Sequence, residues 1–120
     1  LAVIMSHHFE TDREALRELL PSRAHYIGVL GPAKRTRRLL DEISGTSRTW
    51  PKRVRQRVHG PAGLQLGAES PHEIALSILA EAQAVLTSSS GCSLRERDRP
   101  IHEKALPAAA QLRMVTPRGP

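Results

Sequence analysis

A parallel-sheet α/β fold is predicted by three observations on this 120-residue chain. Two short apolar runs, "LAVIM" over residues 1–5 and "YIGVL" over 26–30, are each followed by an amphipathic segment with start and stop signals. A long apolar-faced segment over 70–86 then closes the patterned region. Continuous apolar runs of this length suit strands buried on both faces, and strand-helix-strand-helix order implies right-handed βαβ crossovers.

The first strand ends at Ser6-His7-His8. In "TDRE", Thr11 is placed to cap a helix and Glu14 to reach back three residues later. Ala15, Leu16, Leu19 and Leu20 share one face, and Pro21 stops the segment. After the second strand, Gly31-Pro32 opens a helix whose apolar stripe is Leu39, Leu40 and Ile43, with Gly45 as its end. Residues 46–57 are basic and weakly patterned, consistent with a short helix carrying Val54 next to Val58.

"HGPAGLQLGA", from His59, reads as a structured loop. Ser70, Pro71 and Glu73 then occupy the cap, first helical position and capping-box position of the last helix. Its Ile74, Ala75, Ile78, Leu79, Ala82, Val85 and Leu86 are expected to pack on the sheet. Beyond residue 87 the pattern fails, so the expectation is one domain over 1–87 and a disordered tail over 88–120.

Composition narrows the function classes. The net charge of +6 is concentrated, with nine basic and two acidic residues between 32 and 60. An anionic partner is therefore expected there. Base-stacking platforms need aromatics, and that stretch has only Trp50, which disfavours single-strand recognition. Duplex binding through phosphates alone stays open but has no zinc-finger or helix-turn-helix spacing behind it, so a nucleic-acid partner is not expected. Cys92 is alone, so no disulfide framework or cysteine zinc site can form within the chain, which fits a reducing cytoplasm. "LAVIM" is too short for a membrane span, and no membrane partner is expected.

The opening of the second helix is the strongest chemical signal. Free amides and the helix dipole favour an anion at a helix start, whereas Lys34 and Arg35 placed there oppose the dipole and are poor choices for stability alone. A strand-turn-helix passage with Gly31 and two cations thus points to anion binding, although neither a full G-x-G-x-x-G nor a P-loop is present. His7 lies at a strand's C-terminal end, where open α/β sheets bind ligands; it reads as a ligand-facing group or as a polar strand end. Asp12 has an ordinary explanation as an acidic residue at a helix start. Gly60, Pro61 and Gly63 form a rigid loop that could approach a ligand closely or only turn the chain. No metal-ligand spacing accompanies the histidines.

Taken together, "AVIMSHHFETDREALRELL", "YIGVLGPAKRTRRLLDEI" and "VHGPAGLQLGAESPHEIALSILAEAQAVL" resemble the C-terminal Rossmann-type domain of the XdhC/CoxI family, over about residues 1–86. The resemblance implies a partial Rossmann-like parallel sheet with flanking helices, N-terminally truncated relative to the family. It implies an accessory protein without turnover of its own, which binds the molybdenum cofactor (molybdopterin or its dinucleotide form). In that role the cofactor is held while a cysteine desulfurase supplies its sulfur ligand, then inserted into a molybdenum hydroxylase such as xanthine dehydrogenase, with a homodimer as a compatible assembly. His7, Asp12, Gly28, Gly31, Gly60, Pro61, Gly63 and Glu73 sit on the family-like motifs. Where the family usually carries Gly-Ser, this chain has Gly31-Pro32, which removes one hydroxyl and one amide. The alternative reading is an NAD(P)-dependent oxidoreductase domain, because the fold hosts many chemistries.

Overall fold

The computed structural model describes residues 1–45, 51–98 and 100–101. Three parallel strands, β1 (Ala2–Ile4), β2 (Ile27–Val29) and β3 (Val58–His59), lie in the order β1-β2-β3. Ala2, Val3 and Ile4 pair with Ile27, Gly28 and Val29, while Ile27 and Gly28 pair with Val58 and His59. Helix α1 (Phe9–Leu19) connects the first two strands; α2 (Ala33–Ser44) and the short α3 (Lys52–Arg55) lie between β2 and β3. Helix α4 (Pro71–Leu86) follows the loop after β3. The parallel sheet with flanking helices is thus the predicted α/β architecture.

Alternation along the strands explains the layering, because successive side chains point to opposite faces. Ile4, Ile27 and Val29 join Leu16 and Leu20 of α1 and its end and Leu39 and Ile43 of α2 in one core cluster. Tyr26, with Val3 and Leu30 beside it, packs against Ile78 and Ala82 of α4 in a second cluster. α1 and α2 therefore cover one face of the sheet, and α4 covers the other.

Three sequence expectations change. β3 was hidden in a basic stretch, since a two-residue strand leaves almost no periodic signal. Helix α1 starts at Phe9 with His8 as its N-cap, so Thr11 is already inside the helix and caps nothing. Glu14 instead pairs with Arg17 at 2.8 Å. On α4, Ile74, Ile78, Ala82 and Val85 face the second cluster, but Leu79 and Leu86 are exposed, as is Ala75. An apolar arc that wide exceeds what a three-stranded sheet can cover.

The capping box on α4 is present as expected. Ser70 Oγ accepts from the Glu73 amide at 3.3 Å, and Glu73 Oε2 accepts from the Ser70 amide at 2.9 Å. Those backbone bonds, with that from Glu69, hold the Glu73 carboxyl below the usual carboxylate range. Of the expected helix in 46–57, residues 46–50 lie outside the described residues and Lys52–Arg55 is helical. Of the expected tail, residues 88–98 carry a single 3-10 turn at Leu94–Glu96, and 102–120 lie outside the described residues.

Candidate functional site

The C-terminal edge of the sheet gathers all three motifs around the start of α2. β1 ends in the turn Ser6-His7-His8, and His7 adopts the left-handed conformation with φ of 64°. Non-glycine residues seldom hold that conformation unless neighbours fix it. Here the fixing group is Asp12, whose Oδ1 accepts from the Ser6 amide at 3.3 Å and from the Ser6 hydroxyl at 2.5 Å. Asp12 is only 1% exposed, although it lies on a helix that begins at the surface.

The other carboxylate oxygen of Asp12 accepts from Arg35 Nη1 at 2.6 Å. Burial tends to raise the Asp12 pKa, but the hydrogen bonds from Ser6 and Arg35, together with the Arg35 charge, outweigh it and hold the carboxyl below its ordinary value. Asp12 is thus not a cap residue: it joins the turn after β1 to the first turn of α2. Arg35 in turn is not a free surface cation. Its Nη1 is committed to Asp12, while its buried Nη2 has no hydrogen-bond partner.

Helix α2 begins after Pro32, which serves as N-cap in an extended conformation, and Gly31 before it has φ of +109°. A side chain at Gly31 would be strained by that φ, so the turn needs glycine. The Arg35 and Thr36 amides turn back to the Pro32 carbonyl at 2.9 and 3.4 Å. Helix geometry leaves the Ala33 and Lys34 amides without an intrahelical acceptor. No acidic residue lies in this first turn. Lys34 is exposed and shares a shallow outer hollow with Arg37, Arg38, Asp41 and Glu42, so it stands beside the helix start and not over the sheet edge.

The third motif reaches the same helix from β3. Gly60 lies so close to Thr36 that a Cβ on Gly60 would sit 2.1 Å from Thr36 Oγ1. Thr36 is 5% exposed and its Oγ1 has no hydrogen-bond partner. Gly28 is also a contact glycine, because a Cβ there would meet the Tyr26 ring at 3.0 Å and Ala62 Cβ at 3.2 Å. Gly63, with φ of +113°, lies against Ser77 of α4. The Gly60-Pro61 bond is cis.

Two cations of the central positive block, Arg35 and Arg57, are committed inside the molecule, whereas Lys34, Arg37, Arg38, Lys52, Arg53 and Arg55 are exposed. Arg57 donates to the carbonyls of Leu20, Ser22 and Ala24 around the end of α1. Arg38 lies 4.5 Å from the centre of the Phe9 ring and pairs with Glu42 at 3.1 Å. Sequence reasoning expected an anionic partner across this stretch; the acceptors of Arg35 and Arg57 lie far away in the chain, so no local pattern announces them. It also missed Ser6, Thr36, Tyr26, His59 and Glu81. Glu81 did carry a signal, since it falls on the same helical face as Ile74, Ile78 and Val85.

Among the described residues, no helix is long and apolar enough to cross a membrane, and no three His, Cys, Asp or Glu side chains gather as a metal site.

The parallel crossover topology, with three loops converging at the carboxyl ends of the strands, defines a Rossmann-type domain. The chain belongs to the XdhC Rossmann domain family, whose model matches residues 1–82. It is 42% identical over 80 residues to a Bacillus subtilis protein described as a probable subunit of xanthine dehydrogenase, covering 67% of this chain and 22% of that protein. It is 30% identical over 89 residues to the uncharacterized protein YqeB of Escherichia coli, covering 74% of this chain and 16% of that protein. A crystal structure of a xanthine dehydrogenase from Bacillus halodurans matches with a TM-score of 0.57 and 39% identity, over 76% of this chain and 25% of that one. The chain thus spans a quarter or less of the length of these relatives. Two of these three relatives carry xanthine dehydrogenase in their names.

Proposed function

We propose that this domain binds the molybdenum cofactor as cargo and serves a xanthine dehydrogenase-type hydroxylase, without catalysing a reaction of its own. One observation carries the reading: the turn after β1, the start of α2 and the loop after β3 meet where two buried polar atoms, Arg35 Nη2 and Thr36 Oγ1, lack partners. Unpaired buried donors are costly in a folded protein and are ordinarily satisfied by something. A phosphate-bearing pterin, or its dinucleotide form, is chemically suited to them. Its anion would be received by the Ala33 and Lys34 amides and the Arg35 and Thr36 side chains, with Gly31 keeping the approach open.

Within that reading His7 faces the ligand from the β1 turn, Asp12 orients Ser6 and Arg35, and Gly60, Pro61 and Gly63 form the opposing wall. Gly28 acts indirectly, by letting Tyr26 and Ala62 approach β2. Lys34 adds attraction from the rim. The bound cofactor supplies the molybdenum that a desulfurase-derived sulfur completes; the chain's own part is to bind, orient and release. Partners of this activity are therefore the hydroxylase and a cysteine desulfurase, in the cytoplasm.

The test is anaerobic purification of the chain from a molybdate-fed host, followed by oxidation and pterin fluorescence. Retained pterin near one equivalent is the expected result. Saturable NAD(P)H binding by a folded chain without pterin would replace this reading with the nicotinamide-dependent one.

A further inference from the structure

We infer that Glu81 of α4 is a positioning residue, a clamp that sets where the Gly60–Gly63 loop stands against the start of α2. The loop is tied down at three successive amides. Ala62 donates to the Val29 carbonyl at 3.1 Å, Gly63 to Glu81 Oε2 at 2.8 Å, and Leu64 to the Ser77 carbonyl at 3.1 Å. Two of these acceptors are main chain; Glu81 is the only side chain among the three.

Glu81 also holds the segment that enters the loop. Its Oε2 accepts from the Tyr26 hydroxyl at 2.7 Å, and its Oε1 lies 3.6 Å from His59 Nδ1. His59 stacks on Tyr26, with ring centres 4.6 Å apart and 21° between planes. One carboxylate thus contacts the residue before Gly60, the residue at the far end of the turn, and the residue just before β2. A carboxylate on the inward face of a helix, with two hydrogen bonds and a contact to His59, has no role in covering the sheet that an aliphatic side chain would not fill better. Its contacts explain its presence only if the position of the loop matters.

Between the clamped ends, Gly60 bears on Thr36, whose hydroxyl is one of the unpartnered atoms at the α2 start. Loss of the clamp would let Gly60 and Pro61 drift from α2 while leaving every group at the helix start in place. The consequence for ligand affinity rests on the cofactor-binding reading; the consequence for the loop does not.

The test compares wild-type chain with Glu81→Gln, Glu81→Leu and Tyr26→Phe, reading amide hydrogen exchange at Gly63 and binding of molybdopterin released from a hydroxylase. Glu81→Leu is expected to speed Gly63 exchange at least tenfold, with β1 and α1 amides unchanged, and to weaken binding at least tenfold. Glu81→Gln keeps an acceptor for Gly63 and Tyr26 and is expected to return both readouts to within about threefold of wild type. Such rescue separates positioning from general packing, since both substitutions remove the charge. If Glu81→Leu does not fold, Tyr26→Phe decides: one of the two bonds to Oε2 is lost, and a threefold or greater rise confined to the Gly63 region is expected. Unchanged Gly63 exchange in the folded Glu81→Leu or Tyr26→Phe chain would overturn the clamp. A wild-type chain that binds no molybdopterin but shows the exchange pattern would defeat the cofactor reading and leave the clamp standing.

Discussion

Asp12 illustrates why residue-level chemistry was only half legible. An acidic residue near a helix start is stabilised by the dipole anywhere, so sequence favours that explanation. The chain instead buries it between Ser6 and Arg35, 23 residues further on. Asp12→Ala is expected to cost about 3 kcal/mol in urea unfolding, because removing one partner of a buried pair strands the other charge. The pH dependence follows from the lowered folded-state pKa. Stability from Asp12 is fully present above the unfolded value of about 3.9 and is lost as pH falls through the folded value. Wild type should therefore lose stability below about pH 4 faster than Asp12→Asn, which can be followed by urea midpoints across pH 2–7. Gly60 makes a complementary prediction. Gly60→Ala places its Cβ 2.1 Å from Thr36 Oγ1, 2.6 Å from its Cγ2 and 2.8 Å from its Cβ. A loss of about 2 kcal/mol is expected from overpacking. Adding Thr36→Ala should recover part of that loss and not all, because the Cβ contact remains.

At the scale of elements, helices with end signals were legible and contact-defined elements were not. α4 displays Ser70, Pro71 and Glu73 in sequence, and all three take the predicted roles. Ser70→Ala should lower stability by about 1 kcal/mol, measured by thermal or urea unfolding. β3 could not be read because it consists of two residues whose only definition is pairing with Ile27 and Gly28. The start of α1 was displaced by three residues, the cap moving from Thr11 to His8, because "TDRE" satisfies a local rule while the turn at His7 obeys a tertiary one. The outer side of α4 yields the simplest check. Leu76 and Leu79 are 62% and 60% exposed. Their replacement by Lys should change unfolding free energy by less than about 0.5 kcal/mol, whereas Ile78→Ala should cost about 3 kcal/mol.

For the whole molecule, the concentration of positive charge at residues 32–60 was visible, but its use was not. Arg35 and Arg57 act as internal ties, joining α2 to Asp12 and the β3 entry to the end of α1, while the exposed Arg38 lies over Phe9 and pairs with Glu42 of its own helix. Charge counts foretold an anionic partner; the fold withdraws Arg35 and Arg57 from that surface and leaves Lys34, Arg37, Arg38, Lys52, Arg53 and Arg55 exposed. The family resemblance was legible because three motifs occur in order, and their convergence on one helix end required the folded chain. In the proposed reading, binding depends on a few atoms at that convergence and not on the block of charge.

Thr36 offers the sharpest examination of that dependence. Thr36→Val keeps the shape of the side chain and removes the unpartnered hydroxyl, so the folded chain should be unchanged or more stable by about 1 kcal/mol. Titration with molybdopterin released from a hydroxylase should nevertheless show affinity weakened about fivefold, the loss of roughly one hydrogen bond. Tighter folding with weaker binding is the predicted outcome. Unaltered molybdopterin affinity in a folded Thr36→Val chain would contradict the assignment of the α2 start as the anion site.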